Sequence, residues 1–230
     1  MLSIKEALTS TIGRKYLMGA SGLLLVGFLA SHLAGNILLY LPEGTAFNLY
    51  AKGLVDLGPL LMIAEVGLLG LFALHILVAL KLHFAGGKQR GRQYNVAQKT
   101  KGGKSKYNLS STNMIWTGLG LGMFLVAHVP WFRFEVFVQG DYTTMIDGVA
   151  ARDLHRLVVD TFKNPVIVVF YSTIMVFLGF HLRHGFWSAF QSLGLMAPKY
   201  SKAIELAGVA IAIAFAAGFL GIPSFIYFMK

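Results

Sequence analysis

The chain has 230 residues, 56% of them hydrophobic and 13% charged, with 20 Lys+Arg against 10 Asp+Glu for a net charge of +10. Apolar runs able to cross a hydrocarbon layer of ~30 Å recur along it five times, and the connections left over, about 30 residues at most, are too short for a soluble catalytic domain. With no cysteine in the chain, disulfides, iron–sulfur ligation and covalent cofactor attachment through C-x-x-C-H are excluded.

The first run, near 17–40, follows a basic N-terminus but is too long for the apolar core of a cleavable signal, and it carries His32 and Asn36 toward its far end. It reads as a retained membrane helix, with Asn48 and Tyr50 in the loop after it. A second helix is expected near 58–82, holding Glu65, the one acid well inside an apolar run, and His75, with Lys81 and His83 at its end. The connection 83–112 is rich in Lys and Arg and contains no acid. The third helix, near 113–134, carries His128. In the connection 135–164, Arg152, Asp153, His155 and Arg156 fit an amphipathic surface helix with His155 solvated. A fourth helix near 165–187 holds His181, Arg183 and His184, and a fifth is expected near 204–227. The fold class is therefore all-α integral membrane, with five transmembrane helices in a single membrane domain over residues 1–230.

Lys and Arg set the orientation. With the N-terminus cytoplasmic, the inner side collects Arg14, Lys15, the whole basic 83–112 connection, Arg183, Lys199 and Lys202, while the outer side carries Glu43, Asp56, Glu135, Asp141, Asp147, Asp153 and Asp160. The positive-inside rule thus favours N-terminus in and C-terminus out. The excess positive charge then reflects topology and contact with membrane lipid headgroups, and no nucleic-acid partner is expected.

One histidine sits in each of the first four helices. Ionisable side chains inside a membrane are costly and point to function. Counted from the helix ends, His32 and His128 fall in the outer half and His75 and His181 in the inner half, about ten residues or ~15 Å apart along the normal. That separation leaves room for one porphyrin above another. A neutral imidazole offers one ring nitrogen to iron while an acceptor fixes its other N–H, so two facing histidines close both axial positions. The expectation is a bundle enclosing two stacked haems b, with His32 and His128 on the outer iron and His75 and His181 on the inner. A single histidine in a bundle is more often an interhelical hydrogen-bonding group; four at two matched depths argue otherwise. Gly19, Gly22, Gly118, Gly122 and Gly179 could clear space for a macrocycle, although plain helix packing is the weightier reading. Gly118, Gly120 and Gly122 lack the strand–turn–helix context of a dinucleotide fingerprint.

The stretches SHLAGN around His32, LHILVAL around His75, LVAHVPWF around His128 and GFHLRHGFWSAFQSLGL around His181 resemble the single-polypeptide, di-haem cytochrome b subunit of succinate dehydrogenase and fumarate reductase. The resemblance runs from about residue 14 to the last helix, and the H-x-x-H-G-F-W-S run is its most specific part. It implies the same axial pairs. It also implies a flavoprotein and an iron–sulfur subunit on the cytoplasmic face of a bacterial inner membrane, a quinone expected to be menaquinone as electron partner, and room for a higher oligomer of the heterotrimer. Dicarboxylate chemistry would lie in the flavoprotein, with no catalytic residue for it in this chain. Some members carry a membrane glutamate two residues before the fourth ligand; Gly179 stands there in this chain, which puts that proton route in doubt.

Further polar groups have expected roles. Glu65, level with the outer pair and buried, could exchange protons with a quinone, with Asn36, Asn48 and Tyr50 as the polar end of that site; a structural hydrogen bond to a neighbouring helix or haem is an equal reading. Arg14, Lys15, His83, Arg183 and His184 could meet haem propionates or the partner subunit at the inner end, although the histidines read equally as ordinary interfacial residues and positive-inside bias already accounts for the basic ones. A di-haem subunit of nitrate reductase or formate dehydrogenase type shares the topology, and the motif after His181 favours the succinate family. A haem-free transporter component would show inverted repeats or a broken helix; neither a repeat nor a break is read from the sequence.

Overall fold

The computed structural model describes residues 10–89 and 113–229, so Arg90, Arg92, Lys99, Lys101, Lys104 and Lys106 of the basic connection lie outside the described residues. Helix α1 spans Thr11–Asn36 and tightens into a 3-10 turn over Ile37–Tyr40. It starts earlier than the apolar run because Ser10 Oγ accepts the Gly13 N–H at 3.0 Å, capping one of the free donors of the first turn. Then follow α2 (Thr45–Val55), α3 (Pro59–Gln89), α4 (Met114–Phe134), strands β1 (Thr143–Ile146) and β2 (Val149–Arg152), α5 (Leu154–Phe162), α6 (Pro165–Ser192) and α7 (Pro198–Met229). Pro165 and Pro198 open their helices, where a missing N–H costs nothing.

Five helices are long and apolar enough to cross a membrane: Thr11–Tyr40, Pro59–Phe84, Met114–Phe134, Pro165–Ser192 and Pro198–Met229. Their outward faces expose Leu69, Val126, Val166 and Ile213, as expected where the surrounding solvent is hydrocarbon and every backbone polar group is satisfied within the helix. Packing is tightest between α6 and α7, where small residues bring the backbones together. A Cβ on Gly179 would stand 3.1 Å from Ala216 Cβ, and one on Gly208 would stand 3.2 Å from Phe186 Cδ1. Gly179 and likewise Gly19, whose Cβ would meet Ala189 O at 3.0 Å, therefore serve helix approach. Helix α1 packs on both α3 and α6, and α4 packs on α6, whereas α3 and α4 meet sparsely. Ile174, Met175, Leu178 and Leu182 of α6 join Phe124, Ala212, Ile222 and Ile226 in the core.

At the end of the bundle where α1 and α4 finish, α2, the hairpin and α5 form a small cap. The hairpin was not foreseen, although Asp147 and Gly148 both adopt positive φ at its tip, the Asp-Gly signature of a tight two-residue turn. Helix α5 does lie where an amphipathic helix was expected, with Leu157, Val158, Thr161 and Phe162 buried. His155 is half-buried rather than solvated. Its ring lies over Gly44, whose φ of +72° and lack of a Cβ permit the approach. Asn48 ties the cap together, since its Nδ2 donates to Asp153 Oδ1 at 2.7 Å and its Oδ1 accepts the His155 N–H at 2.8 Å. Asn48→Ala removes both bonds from a buried position and is expected to cost about 1–3 kcal/mol, measured as a lower unfolding midpoint in detergent together with faster proteolysis near residue 44.

Candidate functional site

The structure brings the four membrane histidines together in two pairs. His32 of α1 faces His128 of α4 with ring centroids 6.0 Å apart, and His75 of α3 faces His181 of α6 at 6.4 Å. The rings within each pair share no hydrogen bond, and the polar partners of three of the four lie on neighbouring helices. Two imidazoles that bind one metal ion from opposite sides, at about 2 Å per bond, stand with centroids roughly 6 Å apart. The observed spacings have that value.

Most of the remaining ring nitrogens are held from behind. Ser21 Oγ lies 3.1 Å from His75 Nδ1, Thr117 Oγ1 3.3 Å from His181 Nδ1, and Tyr171 OH 3.2 Å from His128 Nδ1. With Nδ1 so engaged, Nε2 is the nitrogen left for a metal. Among the described residues no group of three or more His, Cys, Asp or Glu side chains is placed to hold a metal ion. A bare ion would thus be short of protein ligands at either pair, whereas a haem brings its own four equatorial nitrogens and asks the protein for two axial ones. Two of the five glycines point at this role: a Cβ on Gly22 would press on His75 Cε1 at 3.3 Å and one on Gly118 on His181 Cε1 at 3.2 Å. Gly122 would meet only Ile76, at 3.9 Å.

A repeat that sequence reading missed becomes plain from these contacts. In α1 the order is Ser21, Gly22, Phe28, His32, and in α4 it is Thr117, Gly118, Phe124, His128, with identical spacings. Phe28 stacks on His32 at 5.4 Å and Phe124 on His128 at 5.0 Å. Helices α1 and α4 thus share one four-residue pattern. Ser21, Thr117 and Tyr171 were not singled out as site residues from the sequence, and the shared eleven-residue step from hydroxyl to histidine was the signal that could have found them.

The polar residues expected beside Glu65 have other partners. Asn36 Nδ2 donates to His32 O within its own helix at 2.8 Å. Asn48 belongs to the cap, and the Tyr50 ring covers Gly35, where a Cβ would stand 2.5 Å from it. Glu65 is half-buried, with its carboxylate in a two-point pair with Arg133, Nε to Oε1 at 2.7 Å and Nη2 to Oε2 at 3.2 Å. That corrects the expectation of a buried carboxyl, since the pair bridges the sparse α3–α4 seam. At the opposite end, Lys15, His83 and Arg183 are exposed and Arg14 is half-buried. His184 packs edge-on against Trp187, and its Nδ1 is buried without a hydrogen-bond partner. Compared with family models, with curated proteins and with solved structures, the chain matches none.

Proposed function

We propose that the chain is the membrane-anchoring cytochrome b subunit of a succinate:quinone oxidoreductase, holding two haems b between His32 and His128 and between His75 and His181. The observation that carries this reading is the pair of imidazole spacings, 6.0 and 6.4 Å, each with Nδ1 of at least one ring engaged from behind. Haem b, when bound by two histidines, supplies a one-electron carrier with no open coordination position. The protein's part is to fix four imidazoles, to exclude water with the phenyl rings packed on His32 and His128, and to insulate the path between the two levels with apolar helix.

The residue resemblance around His181 supports the succinate family and, with it, a flavoprotein and an iron–sulfur subunit docked on the cytoplasmic face of a bacterial inner membrane. Arg14, Lys15, His83, Arg183 and His184 gather toward the end nearer His75 and His181, where propionates or that partner would meet them. Glu65, with Arg133, is proposed as the polar end of a quinone site beside the outer pair, and menaquinone is the proposed quinone. Purification of the protein from its native membrane tests the reading. Two haems per chain with flavoprotein and iron–sulfur polypeptides retained would support it. An intact complex without haem would overturn it, and retained molybdenum-enzyme subunits would move the chain to the nitrate reductase or formate dehydrogenase class.

Orientation has its own test. The chain has no cysteine, so Lys101→Cys and Asp147→Cys each introduce a single thiol. An impermeant maleimide applied outside intact cells is expected to label the second variant and not the first, because the basic connection is held inside. Labelling of the first alone would invert the topology.

A further inference from the structure

The two inner histidines are held by one device used twice. Ser21 Oγ, on α1, meets His75 Nδ1 on α3 at 3.1 Å, and Thr117 Oγ1, on α4, meets His181 Nδ1 on α6 at 3.3 Å. Both hydroxyls also reach backbone carbonyls of their own helix: Ser21 to Met18 O at 3.2 Å, Thr117 to Asn113 O and Met114 O at 3.1 Å. A carbonyl oxygen only accepts, so the hydroxyl proton goes to it and a lone pair is what faces the ring. Nδ1 must then donate, which leaves Nε2 bare. Ser21 and Thr117 are both buried, at 2% and 5% exposure, so water does not compete for these bonds. The outer pair is built otherwise. His128 meets a phenol, Tyr171, and both outer rings carry a stacked phenylalanine instead of a serine or threonine cap.

We propose, on the basis of the haem reading above, that Ser21 and Thr117 are positioning residues that fix the tautomer and ring orientation of His75 and His181 and so tune the inner iron independently of the outer one. An imidazole whose Nδ1–H is accepted by oxygen is a stronger donor to its metal, which favours the ferric state. Loss of the acceptors should therefore raise the midpoint potential of the inner haem.

The test is a spectrally monitored redox titration of the protein purified from its native membrane with the polypeptides it retains, comparing wild type with Ser21→Ala, Thr117→Val, the double variant and Thr117→Ser. Valine keeps the shape of threonine without the hydroxyl, and serine keeps the hydroxyl without the methyl. The inner haem is identified as the component absent from His75→Ala. Expected are two haems per chain throughout, an upward potential shift of the inner haem alone in the single variants, a larger shift in the double variant, and a near wild-type value in Thr117→Ser. Selective loss of the inner haem from the double variant, with Thr117→Ser retaining it, supports the same assignment. Unchanged potentials with both haems present would overturn it, as would equal haem loss from the Val and Ser variants, the mark of a packing role. A wild-type protein without haem would instead overturn the reading on which the assignment rests.

Discussion

Replacing His32 or His128 with alanine is expected to abolish one haem spectrum and spare the other, and replacing His75 or His181 to abolish the complementary one. The cause is the two-point grip. On the haem reading each pair, with rings 6.0 or 6.4 Å apart, would supply both axial bonds to one iron, so one truncation would halve the protein's coordination and leave the facing ring without a metal to serve. If the proposed function holds and the two levels act in series, quinone-linked turnover should fall to background in all four variants, while reduction of a soluble dye by the proposed peripheral subunits persists. Reduced-minus-oxidised spectra and haem per chain decide the matter. Loss of the same component from His32→Ala and His75→Ala would break the pairing.

A loss nearly as complete is expected from a variant that touches no ligand. In Gly118→Val the new Cβ stands 3.2 Å from His181 Cε1 and 3.7 Å from Nδ1 before its two methyls are added. The branched side chain is rigid at χ1, so the imidazole is the part that yields. The inner haem should disappear while the outer remains, and Gly22→Val should act in the same way through His75. Gly67 on α3, with no atom within 4 Å of its Cβ position, provides the control, and Gly67→Val should keep both haems. An unaltered inner haem in Gly118→Val would mean that the glycine serves only helix packing.

The membrane spans and the four histidines were legible in the sequence because hydrocarbon selects strongly on composition: a long apolar helix and an ionisable group within it both stand out from any background. Helix starts were less so, since Ser10 and Pro198 lie in polar flanks where hydropathy is silent and capping decides. Ser21 and Thr117 were hidden for a different reason. A hydroxyl in an apolar helix ordinarily bonds the carbonyl one turn back, and both do; their second contact, across to another helix, has no local mark. Asn36, Asn48 and Tyr50 lie near helix ends, where a polar side chain can as readily satisfy its own backbone or a neighbouring loop as line a site, and sequence alone does not separate the two.

The way the histidines pair has a consequence for assembly. Each histidine pair takes one ring from the first half and one from the second, so neither half contains a complete site at either level. On the haem reading, both irons would be cross-links between the halves, one joining α1 to α4 and the other α3 to α6, while Glu65 and Arg133 bridge the sparse α3–α4 seam. A hairpin of α1 and α3 alone would therefore hold one ring of each pair and complete neither site within a single chain.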